Sequence, residues 1–169
     1  MANRLGTGRD KFAVDIDGVR VNSAVEIALP TRTPKFIEKK VAGVLGTIKK
    51  KIAGNYELGD SSLKLESLEK VNVMLNDGRS HIITAYTTEN LMDTNTRTEL
   101  TINVKYVLQV QFGEINPGTL TSEEIDGYSI AMTTHGMEVY YGGVEQFYYY
   151  PTMNICREMG VDVLLPYIK

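Results

Sequence analysis

From Leu100 the chain alternates apolar and polar residues through "LTINVKYVLQVQF". Leu100, Ile102, Val104, Tyr106, Leu108, Val110 and Phe112 share one face, and Thr101, Asn103, Lys105, Val107, Gln109 and Gln111 the other. This period of two predicts a strand about twice the usual 5–6 residues. "KFAVDIDGVRV" sets Phe12, Val14 and Ile16 against Ala13, Asp15 and Asp17, with Asp17-Gly18 placed for a tight turn; "SAVEIALP" resumes the pattern, and a hairpin is expected. "SSLKLES" and "SHIITAYTT" read as further strands. "SLEKVNVMLND" fits two templates: Leu68, Val71 and Leu75 have helical spacing behind a cap at Ser67, whereas Val71, Val73 and Leu75 alternate. Glu69 and Lys70 suit the polar side of a short helix, which is the favoured reading.

Beyond the turn region "GEINPGTLTSEE", the stretches "YSIAMTT", "GMEVYYG" and "VEQFYYYP" are separated by glycine-bearing turns and predict an antiparallel meander. One short helical turn is expected before Gly160. Residues 30–60 break the pattern with two prolines, four glycines and clustered lysines. Without a sustained period, they predict a long excursion with little regular structure, and loops of that length are usually functional.

Charge sharpens this picture. Residues 31–51 hold Arg32, Lys35, Lys39, Lys40, Lys49, Lys50 and Lys51 against Glu38 alone, a local charge of +6 within a chain of net charge -3. The remainder therefore carries -9. Such separation suits a basic segment that docks on an acidic surface, including that of an identical neighbour; a solvated lysine-rich loop would give the same count. Within "KKVAGVLGTIKKK", residues 39–51, Val41, Val44, Leu45 and Ile48 offer apolar contact between lysines.

The 169 residues suit one domain spanning 1–169, and no apolar run approaches the roughly 20 residues of a membrane span. The start, "MANRLGTGRDKF", lacks the apolar stretch of a secretory signal, so a cytosolic site of synthesis is expected. Cys156, the sole cysteine, excludes an internal disulfide and a multi-cysteine metal site.

Catalytic groups are scarce. His81 lies in a strand pattern, His135 beside Gly136 in an expected turn, and Cys156 reads as a small core residue. "GVLG" and "GTGRDK" lack phosphate-loop spacing, and the carboxylates form no metal-ligand pattern. No catalytic, cofactor or metal residue is expected. In "GVEQFYYYP" Phe147 and Tyr149 alternate with Tyr148 and Tyr150, which makes both strand faces aromatic. Such a strand is either buried between two layers or shares its second face with a partner subunit.

In order, "VEIALPTRTPKF", "GNYELGDSSLKLES", "FGEINPGT" and "TMNICREMGVD" resemble the major tail tube protein of contractile-tailed bacteriophages, over about residues 12–163. The resemblance implies a mainly β fold of two packed antiparallel sheets, a sandwich or barrel, with a short flanking helix and residues 31–60 as an extended inter-subunit loop. It implies a virion structural protein whose hexameric rings stack into the inner tube of the tail. Partners would be other copies, the sheath, tape-measure and baseplate proteins, and DNA as non-specific cargo, with no membrane. Assembly would occur in the host cytoplasm. Lys39, Lys40, Val41, Val44, Leu45, Ile48, Lys49, Lys50, Lys51, Tyr148 and Tyr150 are the expected interface residues. The tube of a type VI or phage-tail-like injection apparatus would share this pattern, and a small-ligand-binding β-barrel would share its strands alone.

Overall fold

The computed structural model describes residues 4–40, 46–68, 77–93, 96–118 and 127–163, with residues 4–11 and 39 described through their backbone. The described residues form twelve strands: β1 (Arg4–Ile16), β2 (Val19–Val21), β3 (Ala24–Ala28), β4 (Arg32–Lys40), β5 (Thr47–Leu58), β6 (Ser61–Leu65), β7 (Ser80–Asp93), β8 (Glu99–Asn116), β9 (Tyr128–Tyr141), β10 (Val144–Tyr150), β11 (Ile155–Glu158) and β12 (Val161–Asp162). The fold is mainly β, as expected. Ten strands make one antiparallel sheet ordered β12-β11-β10-β9-β8-β7-β1-β2, with β6 added to β9 and β3 to β6; β4 and β5 form a separate two-stranded sheet.

β9 is the branch point. Along the edge turned away from β8, Tyr128–Met132 pair with β6, and Met137–Tyr141 face the β10 hairpin. Strands on both branches feed one core, which includes Val14 and Ile16 of β1, Leu63 and Leu65 of β6, Ile83 of β7, Leu108 and Val110 of β8, and Cys156 of β11. A sheet whose distant strands share a core has to curl over, so that its two halves pack as layers.

The expected alternation in β8 is realised: Val104, Leu108 and Val110 are buried while Thr101, Asn103, Lys105 and Gln111 are exposed. At 18 residues β8 is longer than its clean pattern. The opening hairpin also forms, with Ile16 opposite Val19 across Asp17 and Gly18, both at positive φ (49° and 80°) as its tight turn requires.

β2 covers only Val14–Ile16 of β1. Along residues 4–13 no described strand pairs with the outer edge of β1.

Two expectations need correction. Within residues 31–60, β4 and β5 form a paired ribbon, with Arg32 opposite Leu58 at its root and Lys40 opposite Thr47 at the far end of the described pairing. Their pattern hid this because residues exposed on both faces have no burial to alternate. His135 and Gly136 do not turn the chain, since β9 runs through them with a register shift against β8. There a Cβ on Gly136 would lie 2.3 Å from the Tyr150 ring, so the glycine is needed for close packing. The turn after β9 falls at Gly142-Gly143, both at positive φ (58° and 82°). The short helical turn expected before Gly160 is present as a 3-10 turn at Pro151–Met153, and β11 follows it. The body of the helix favoured at 67–77, residues 69–76, lies outside the described residues.

Candidate functional site

The ribbon is held at its root by an aromatic cluster. The Tyr56 ring meets Phe147 edge-on at 5.4 Å and Tyr149 at 5.8 Å. Tyr149 Oη donates to the Tyr56 carbonyl at 2.6 Å, the Tyr56 hydroxyl donates to Glu158, and the Arg32 guanidinium lies 4.4 Å above the Phe147 ring. Burial, followed by the hydrogen bond to Glu158, pushes the Tyr56 phenol up to about 12. It stays protonated and donating at every physiological pH. Because Phe147 and Tyr149 are themselves buried in the core, the ribbon root is continuous with the folded body.

Above the root the pairing breaks. Tyr56 is opposite Pro34, but the next pair is Lys51 with Phe36, so Lys35 on β4 faces residues 52–55 of β5. Gly54 supplies a positive φ of 69° within this bulge, which separates root from outer half. From Phe36–Lys51 to Lys40–Thr47 the register is then unbroken.

Every residue of this outer half whose side chain is described is exposed. Ile48, Lys40, Lys49, Lys50 and Lys51, named from the sequence as interface residues, are on it, and Glu38 pairs with Lys49 at 2.8 Å. Phe36 and Ile37 are 54% and 46% exposed. Sequence reasoning missed both, although an apolar pair among the charges of "PKFIEKK" was a signal that could have found them. It also missed Tyr56 and Arg32, whose roles depend on β10 and β11, about a hundred residues away. Val41, Val44 and Leu45 lie outside the described residues, and Lys39 is described by its backbone alone.

Tyr148 and Tyr150 are not on the ribbon. They sit on the face of β10 turned away from the core, with ring centroids 4.8 Å apart. Tyr150 is buried, and its hydroxyl donates to Glu138 at 2.7 Å while Tyr140 donates to the other oxygen of the same carboxylate. The hydrogen bond to Glu138, together with burial, pushes the Tyr140 phenol up to about 12. Arg157 lies 4.0 Å above the Tyr148 ring and grips Glu145 through two hydrogen bonds. These aromatics are thus already partnered within the chain, and Tyr148 remains half-buried.

The remaining reactive groups are structural. Cys156 is fully buried and its thiol is pushed up to about 11, chiefly by burial, which leaves it inert. His81 is buried between two carboxylates.

An exposed basic arm on a β body, with a long sheet edge that no described strand pairs, suits a protein that assembles. The family model for phage tail tube protein FII matches residues 10–167. The chain belongs to this phage tail tube family. No curated protein matches it. As a tail tube protein, it is a structural component of the virion tail that assembles with itself and with other tail components. The matched span takes in the opening hairpin, the whole ribbon and the meander.

Proposed function

We propose that six copies close into a ring, that rings stack into the inner tube of a contractile tail, and that the genome leaves through its channel. The exposed ribbon carries this reading. Its outer half holds cations and large apolar groups that nothing in the described chain covers, while its root is fixed to the core. Apolar side chains set among charges on a rigid projection are the makings of a docking arm. Exposed lysine pairs contribute only about 0–1 kcal/mol each, but the contact would recur in every subunit. The outer edge of β1, unpaired among the described residues along 4–13, fits ring closure, because pairing with a neighbour removes it.

A conduit for DNA should not be lined with free cations, since phosphate neutralisation would hold the passing duplex. The face of β7–β9 turned from the core is poor in cations, which favours it as the lining: Thr84, Gln109, Gln111 and Thr133 stand there with one exposed lysine, Lys105, whose ammonium lies 5.3 Å over the Tyr140 ring.

Negative-stain microscopy with analytical ultracentrifugation tests the proposal. Rings or tubes are expected at high concentration, and a strictly monomeric profile at every concentration and salt would sink it. Changing Lys49, Lys50 and Lys51 together to Glu should leave circular dichroism unchanged and abolish or shorten tubes.

A further inference from the structure

Both carboxylates that hold His81 stand directly before a glycine. The chain contains three Asp-Gly pairs, at 17–18, 77–78 and 126–127, of which Asp126 lies outside the described residues. In such a pair the glycine amide nitrogen can reach the aspartyl Cγ, because no Cβ crowds its approach. A Cβ on Gly18 or Gly78 would meet nothing within 4 Å, and Asp17, Gly18, Asp77 and Gly78 are all exposed. Water therefore has access to both bonds.

The two aspartates are fixed to different degrees. Asp17 accepts the Ile82 amide at Oδ1 (2.8 Å) and His81 Nδ1 at Oδ2 (2.7 Å), while its own amide donates to the Ile82 carbonyl at 2.8 Å. The two bonds to Asp77 both fall on Oδ1, from the Arg79 amide at 2.9 Å and from His81 Nε2 at 3.0 Å. The first is local to its own turn, so only the second ties the side chain to β7. Asp77 is held below its ordinary 3.8 by the Arg79 amide and then by His81; in Asp17 burial works the other way and is outweighed by His81 and the Ile82 amide. An ionised carboxylate is a poor electrophile, and every bond that favours the anion slows attack on its carbon.

We propose that Asp77-Gly78 is a site of backbone isomerisation and that His81 is the positioning residue that holds it in check. The Gly78 nitrogen attacks Cγ of the protonated Asp77 carboxyl. An N–Cγ bond forms, a Cγ–O bond breaks, and the hydroxyl leaves as water with the amide proton. A second water then opens the cyclic imide, either restoring Asp77 or leaving isoaspartate, in which the chain runs through Cγ and the carboxylate is carried on Cα. That displaced carboxylate loses the bonds to His81 and to the Arg79 amide, and the tie through His81 keeps one carboxylate of two. A virion component is not replaced once assembled, so the product of even a slow reaction accumulates.

The test is peptide mapping of isoaspartate at residues 17, 77 and 126 after incubation at about pH 6, where His81 holds its proton. In the folded wild type Asp77 should isomerise about tenfold or more slower than in the same chain unfolded in urea, a comparison that needs no variant. His81→Gln should raise the folded-state rate at Asp77 by about threefold or more, and raise it more there than at Asp17, which keeps its two bonds to Ile82. Product formed in water enriched in heavy oxygen should carry one heavy oxygen atom. Tyr149→Phe, remote from His81, should leave the rate unchanged. Equal rates in folded and unfolded wild type, no acceleration in His81→Gln, or faster reaction at Asp17 than at Asp77 overturns the proposal. Equal acceleration by Tyr149→Phe also overturns it, by tracing the reaction to general opening of the fold. Slower isomerisation in His81→Gln would give the imidazolium the opposite role, that of proton donor to the leaving oxygen.

Discussion

His81 Nδ1 donates to Asp17 Oδ2 at 2.7 Å, while Nε2 of the same ring donates to Asp77 Oδ1 at 3.0 Å. A ring that donates from both nitrogens is an imidazolium. Asp17 also accepts the Ile82 amide at 2.8 Å, Asp77 accepts the Arg79 amide at 2.9 Å, and the imidazole lies 5.3 Å from the Phe112 ring. One side chain thus joins the β1–β2 turn to the start of β7 against β8.

The pH dependence follows from this arrangement. Burial alone would lower the His81 pKa, but the hydrogen bonds to Asp17 and Asp77 overcome it and hold the group above its ordinary 6.5. A raised folded pKa gives stability that is complete below about 6.5 and lost as pH rises through the folded value. Burial raises the Asp17 carboxyl, but its hydrogen bonds to His81 and the Ile82 amide leave it lowered; Asp77 is lowered first by the Arg79 amide and then by His81. Their contribution holds above about 3.8 and falls as acid passes through the lowered values. Urea midpoints of the wild type should therefore decline on the alkaline side. His81→Gln should flatten that decline and cost about 1–2 kcal/mol near pH 6.

Gly136→Ala should destabilise the fold by about 1–3 kcal/mol, because the added methyl meets the Tyr150 ring on one side of a well-packed strand. A second change, Tyr150→Ala, should recover part of this loss beyond additivity in a double-mutant cycle by urea denaturation. Strict additivity would place the strain elsewhere.

Tyr149→Phe keeps the ring and deletes the hydroxyl that donates to the Tyr56 carbonyl. The expected cost is about 1 kcal/mol, concentrated at the ribbon root. Hydrogen exchange should quicken in β5 while β8 stays protected.

Along β8, Leu108→Ala should cost about 2–5 kcal/mol, since Leu108 is fully buried at the centre of the core. Leu100→Ala, on the same face but 44% exposed, should stay within about 0.5 kcal/mol in the free subunit. Equal losses would mean that the core extends to the end of the strand.

Where one face meets the core and the other meets water, the strands were legible: Val104, Leu108 and Val110 announced β8, and Asp17-Gly18 announced the β1–β2 turn. Phe12 has the same pattern but is 42% exposed, just past a register shift in β1. The ribbon could be read by charge but not by structure, because its pairing is set by the chain reversal and its anchored root. Gly136 misled for another reason. Its neighbours in sequence suggest a turn, while the ring that requires a glycine comes fourteen residues later, on the adjacent strand.

The outer edge of β1, unpaired along residues 4–13 among the described residues, has a consequence for the subunit before it assembles. Any extended peptide can add to an open edge, so the free protein offers a template to misfolded chains as readily as to its proper neighbour. Assembly and aggregation then compete for one surface, and their balance shifts with concentration and waiting time. A preparation held at intermediate concentration should lose competence on storage, and capping the edge with a matched peptide should preserve it while preventing ring closure.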